Sequence, residues 1–150
     1  MNLYLPTIIL RHRKENLKKC SLRGIETRPD CRFFTYPRDP LPDLSNYILL
    51  TPEAPPLSQQ DAHLGLLLVD GTWRYAETMI KDIPPLIARR SLPPLFKTAY
   101  PRRQEVAHGL ASIEALFIAW YLLGRPTQGV LDHYHWKTEF LKINPSLKID

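Results

Sequence analysis

Residues 65–73 read Gly65-Leu66-Leu67-Leu68-Val69-Asp70-Gly71-Thr72-Trp73. Gly65–Val69 is a continuous apolar run of strand length, the pattern of a strand covered on both faces of a sheet. Asp70 follows it directly. A carboxylate there is either exposed at the strand tip or partly buried and paired, and it also suits the N-cap of a helix. Gly71 permits a tight turn or the close approach of a ligand. Beyond it Trp73, Ala76, Ile80 and Ile83 recur at helical spacing. This predicts a helix over Thr72–Asp82, ended by Pro84-Pro85.

Outward from this unit, further strands are predicted at Leu3–Leu10, made irregular by Pro6, and at Cys31–Tyr36, Tyr47–Leu50 and Leu95–Thr98. Ser112–Leu123 is the strongest helix. Ser112 suits its N-cap, Glu114 lies in its first turn, Gly124 suits the C′ position and Pro126 follows. The helix is apolar on most sides, so it belongs at the centre, with Trp120 and Tyr121 in the core. A last amphipathic helix falls within Gly129–Leu141. Strands alternating with helices define an α/β class: one domain, a mostly parallel sheet flanked by helices. In such sheets ligands bind beyond the carboxyl ends of the strands, which points to Asp70–Trp73.

Composition bounds the function. The 150 residues are 44% apolar and 23% charged, within the globular range. A chain of this length buries about two-thirds of its surface without a stapling metal or disulfide. Cys20 and Cys31 make neither a disulfide framework nor a zinc-ligand spacing. The pair His133-x-His135 reads as surface rather than as a metal site, and no metal is expected. No apolar run reaches the ~18 residues of a membrane span, and the opening residues have the wrong charge order for a secretory signal. A cytoplasmic protein with reduced thiols is expected. Most of the 15 prolines cluster at 37–56 and 84–101, as stiff loops between core elements.

The net charge of +5 is uneven. Residues 1–40 hold nine Lys/Arg against four Asp/Glu, and residues 87–103 hold five against none. Six against eleven remain elsewhere. Two basic segments on an otherwise acidic chain suit a polyanion.

Several motifs, in order, resemble one family. VDGTWRYAETM (69–79) resembles the D-x-[ST]-W motif of the DTW family of RNA aminocarboxypropyltransferases. RRSLPPLF and GLASIEALFIAWYLLGR follow at similar spacing. Lys18-Lys19-Cys20-Ser21, Leu50-Thr51-Pro52 and the ending WKTEFLKIN resemble the branch that modifies small-subunit rRNA. Arg102-Arg103-Gln104 resembles the tRNA-modifying branch. The sequence departs from the pattern at Leu22, where the family has Gly, at Arg13–Asn16, which replaces an H-C-D-P lead-in, and at Ala99–Gln104, which replaces an N-P-V-N-Y-G loop. The resemblance implies a trefoil-knotted domain similar to the SPOUT methyltransferases, with a basic part over 1–45 and a DTW-like part over 46–150.

The implied cofactor is S-adenosylmethionine, and the implied reaction transfers its 3-amino-3-carboxypropyl group to a uridine or pseudouridine. The RNA partner is rRNA in preference to tRNA. No metal is needed, because a sulfonium already carries its leaving group, and catalysis is by positioning. Under this resemblance Asp70 holds the cofactor's ammonium and assists deprotonation of the base. Trp73 walls the methionine chain, Ser21 holds the carboxylate, and Leu50, Val69 and Leu95 line the adenine pocket. Lys18, Lys19, Arg23, Arg89, Arg90, Arg102 and Arg103 contact phosphates. Two rival readings are a SPOUT-like RNA methyltransferase and a non-catalytic RNA-binding protein of ribosome assembly.

Overall fold

The computed structural model describes residues 4–18, 20–101 and 110–147. Five strands form one sheet: β1 (Thr7–His12), β2 (Cys31–Tyr36), β3 (Tyr47–Leu50), β4 (Gly65–Asp70) and β5 (Ala88–Arg90). Their order is β2-β1-β4-β3-β5. Every neighbouring pair is parallel. Among the described residues three α-helices accompany them: α1 (Trp73–Lys81), α2 (Ser112–Leu122) and α3 (Lys137–Ile143).

The α/β class and the parallel sheet agree with expectation, as do β2 and β3 at their predicted limits. β1 starts only at Thr7, because Pro6 has no N–H to give the ladder. The α1 helix runs as its spacing predicts, with Thr72 as N-cap and Asp82 as C-cap. Side chains alternate across the sheet. Ile8, Leu10, Leu49 and Leu67 pack with Met79 of α1 and with Ile83. Ile9, Ile48, Leu66 and Leu68 pack with Leu116, Phe117 and Trp120 of α2 and with Phe140 of α3. The apolar run of β4 therefore serves two cores at once.

Three expectations are corrected. Leu95–Thr98 is not a strand. Its backbone finds side-chain partners instead: Asn144 accepts from Lys97 N–H and donates to Lys97 C=O, both at 2.8 Å. The fifth strand is Ala88–Arg90, three residues with two arginines, which no periodicity marks. The last helix lies later than expected, over Lys137–Ile143. Helices also do not fill every crossover. Among the described residues, β1–β2 and β2–β3 are joined by turns, and β3–β4 by a loop with one short 3-10 turn at Gln59–Asp61.

α2 is central, as its all-round apolarity demands. Trp120 is buried and its indole N–H donates to Thr7 Oγ1 at 2.9 Å, tying α2 to the start of β1. Ala111, not Ser112, is the N-cap; Gly124 follows the C-cap Leu123 with φ +75°, as a C′ glycine should. No helix among the described residues is long and apolar enough to cross a membrane.

Candidate functional site

At the carboxyl edge of the sheet, β1 and β4 end side by side, and their register sets Arg11 opposite Asp70. Arg11 Nε donates to Asp70 Oδ2 at 3.0 Å. Cys20 Sγ donates to the same oxygen at 3.2 Å, and Ser112 Oγ donates to Oδ1 at 2.9 Å. Asp70 is only 2% exposed. Of the alternatives open in the sequence, it is thus the buried, paired carboxylate rather than a free strand tip. The N-cap of α1 is Thr72.

The rest of Arg11 is also engaged. Nη1 lies 3.4 Å from Glu26, and the guanidinium sits 4.6 Å over the Phe33 ring. Burial works against its charge, but the hydrogen bond it donates to Asp70 and the neighbouring negative groups outweigh burial and raise its pKa. Burial, reinforced by Asp70, pushes the Cys20 thiol up to about 12. A thiol so placed is a donor in a network, not a nucleophile. Glu15, Cys20 and Asp70 bring ligand-type atoms within 4.8 Å of one another. The positive charge that this cluster needs is already supplied by Arg11, so the donor set does not suit a metal ion.

The first turn of α2 is the hub of the edge. Ser112 holds Asp70. Ser21 Oγ accepts from Ile113 N–H at 3.1 Å, so the basic N-terminal loop caps this helix from 92 residues away. Glu114, fully buried, accepts from Thr98 Oγ1 at 2.6 Å, Ala99 N–H at 2.7 Å, Ala111 N–H at 2.8 Å and Tyr134 O–H at 2.9 Å. Burial first, then Glu114, drives the Tyr134 hydroxyl pKa upward. Glu114 therefore does far more than complement a helix dipole: it fixes the loop after β5 against α2 and the segment before α3.

The other expected ligands have varied settings, and Val69 packs with the Ile8, Leu10 and Met79 cluster, on the sheet face away from Asp70. Leu50 closes β3 and is buried, Val69 is half-buried, and Leu95 is 61% exposed on the loop after β5. Trp73 opens α1; its side chain lies outside the described residues. Lys18 and Arg23 are exposed, whereas Lys19, Arg102 and Arg103 lie outside the described residues. Arg89 and Arg90, expected to contact phosphates, are half-buried and each makes contacts within the protein. Arg89 donates to the carbonyls of Ile87 at 2.8 Å and Ile83 at 3.3 Å. Arg90 pairs with buried Asp61 at 3.3 Å and donates to Arg89 C=O at 2.7 Å. These contacts use Nη1 and Nη2 of Arg89 and Nη1 and Nε of Arg90.

Sequence reasoning missed Arg11, Cys20 and Ser112 as partners of Asp70. The available signal was an arginine inside an otherwise apolar strand, TIILRH. A buried charge needs a partner, but only the register says which.

Fold and site together define an α/β domain with an all-parallel sheet and a polar hub at its carboxyl edge. No family model matches the sequence, and no curated protein matches it. Among solved structures the chain is similar to the SAM-dependent rRNA:acp-transferase Tsr3 from Vulcanisaeta distributa. The TM-score is 0.75 at 26% identity, over 95% of this chain and 80% of that one.

Proposed function

We propose that the chain is an S-adenosylmethionine-dependent RNA aminocarboxypropyltransferase acting on rRNA. The observation that carries this reading is the similarity to Tsr3 over nearly the whole chain. The trefoil knot belongs to the same proposal, supported by the shared fold.

The residues at the carboxyl edge suit the cofactor. Leu50 at the end of β3 and Leu95 on the loop after β5 are assigned to the adenine, while Val69, on the α1 face of the sheet, would meet it only from the strand's edge. Ser21 Oγ accepts from Ile113, which leaves its own O–H to donate to a carboxylate beside the positive end of α2. Asp70 Oδ2 is filled by Arg11 and Cys20, while Oδ1 carries the Ser112 hydroxyl alone. Oδ1 is therefore the oxygen assigned to the ammonium. Trp73, on the turn after β4, is assigned to the methionine chain, with cation–π attraction to the sulfonium. Deprotonation of an RNA base by Asp70 is dropped from the reading, because a carboxylate 2% exposed and held by three donors does not reach so large a substrate.

When bound, S-adenosylmethionine supplies an activated carbon on a sulfonium, and transfer of its aminocarboxypropyl group leaves methylthioadenosine. The protein's task is then to present that carbon rather than the methyl, and the Asp70–Ser112–Ser21 hub would do so by fixing ammonium and carboxylate together. The test is product analysis with rRNA and tRNA. Methylthioadenosine supports the transferase; adenosylhomocysteine overturns it in favour of a methyltransferase; neither product, with RNA still bound, overturns it in favour of a binding protein.

A further inference from the structure

On the opposite face of the sheet from Asp70, the same carboxyl edge carries a group of rings. His12 ends β1, and its register partner on β2 is Tyr36. Tyr75, in the first turn of α1, stacks on His12 with centroids 3.9 Å apart and planes 5° apart. Tyr36 lies 5.9 Å from His12, tilted by 36°. Gly71 lets these elements meet: a Cβ there would come within 3.3 Å of His12 Cβ and 3.4 Å of Tyr75 Cβ. His12 is buried, but Tyr36 and Tyr75 are only half-buried and keep part of their ring surface in solvent.

Cations flank these rings along the chain, and Arg13 and Lys14 act on His12 through their charge. Arg13 and Lys14 continue directly from β1, Lys18 follows, and Arg74 precedes Tyr75; all four are exposed. None of them makes an ion pair among the described residues. The acids nearby are largely engaged. Asp82 accepts from the Tyr36 hydroxyl. Asp39 accepts from Arg38 and from Thr35 N–H. Asp82 keeps its charge and Glu77 is exposed two residues beyond Tyr75, so the surface is mixed in charge and carries four cations without an ion pair among the described residues. Arg74 and Tyr75 fall within the DTW-like stretch 69–79 and the other dock residues within the basic segment 1–40, whereas segment 87–103 contributes none.

We propose that this surface docks single-stranded RNA, with unpaired bases stacking on Tyr36 and Tyr75 and phosphates held by Arg13, Lys14 and Arg74. The proposal rests on the RNA-modifying reading and says where its substrate strand lies. Rings interleaved with unpaired cations are how single strands are held, because every base has a face to stack and every nucleotide a phosphate. A duplex offers the phosphates but hides the base faces, so a single strand is preferred. The position also suits the reaction: the surface adjoins the turn Gly71–Trp73 on the side away from β3 and β5, where the cofactor is assigned.

The test uses the full chain, a single-stranded RNA oligonucleotide, its duplex, and heparin as a polyanion without bases, with binding read by anisotropy across a salt series. Wild type is expected to prefer the single strand. The variant Arg13→Ala/Lys14→Ala/Arg74→Ala changes only exposed side chains and should flatten the slope of log K against log salt by about 2 units, at roughly 0.7 per phosphate contact. Tyr75→Leu should weaken single-strand binding by about tenfold or more, while Tyr75→Phe, which keeps the stack, should not. Unchanged affinity and slope in the triple variant overturn the dock. So does a wild type that binds heparin and RNA alike and is indifferent to Tyr75→Leu, since that is a general polyanion patch. Methylthioadenosine release is read separately: a protein that docks RNA as described yet forms none refutes the transferase and leaves the dock standing.

Discussion

Asp70 and Arg11 are each buried and each the other's main charge partner, so neither can be removed alone without leaving an uncompensated group. Asp70→Asn is expected to destabilise the fold by about 3–5 kcal/mol, the range for breaking one side of a buried pair. Urea unfolding monitored by tryptophan fluorescence checks this. A shift below about 1 kcal/mol would mean that the Arg11 charge is solvated after all. The two cysteines provide a second test. Burial pushes Cys20 and Cys31 up to about 12 each, so at pH 8 only about one thiol in ten thousand is a thiolate. Native protein should react with a thiol reagent far more slowly than unfolded protein, which should expose both groups at once. His12 adds a pH effect. Burial, then Arg13 and Lys14, lowers its pKa below 6.5. A folded pKa below the unfolded one means that the unfolded state binds the extra proton first. The contribution of neutral His12 to stability is therefore full above pH ~6.5 and is lost as pH falls through the lower folded value. His12→Phe, which keeps the stack on Tyr75, should flatten the dependence of the denaturation midpoint between pH 7.5 and 5.5.

At the scale of elements, α2 organises the edge through its first turn, and Glu114 is the residue through which it does so. Gln in its place keeps the shape but presents N–H groups where four donors converge. Glu114→Gln is expected to cost about 2–3 kcal/mol, the value of charged and buried acceptors left mismatched. It should also raise amide exchange at Ala99 and Ala111 while leaving β1 and β4 protected. The sequence marked Glu114 only as an acid in a first helical turn. Its four donors come from residues 98, 99, 111 and 134, and no local pattern announces that they meet. The failed strand at Leu95–Thr98 has the same cause. Its apolar residues resemble those of a strand, but Asn144 and Glu114 supply the partners that a neighbouring strand would have given. β5 is the converse, a short polar segment made a strand by the open edge of β3.

For the whole molecule, ligand linkage provides the broadest test of the proposed function. A cofactor that binds only the native state at a hundred times its Kd adds about 2.7 kcal/mol. For a domain of this length that raises Tm by about 5–10 °C. S-adenosylmethionine should produce such a shift without added metal, and its absence at millimolar cofactor would count against the reading. How far the molecule could be read in advance follows from the range of the forces involved. The class, the central strand at Gly65–Val69, the limits of β2, β3 and α1, and the central place of α2 were legible, because apolar periodicity, glycine and proline act on their immediate neighbours. The sequence also pointed to Asp70–Trp73 as the candidate site, since strand ends in parallel sheets are where ligands bind. It did not determine that Arg11 faces Asp70, that Ser21 caps α2, or that Tyr75 stacks on His12. Those are pairings across 59, 92 or 63 positions of chain, set by strand register and by which loop covers which helix end. Only the tertiary structure decides them, because a buried charge or an exposed ring is indifferent to sequence distance and answers only to what packing brings beside it.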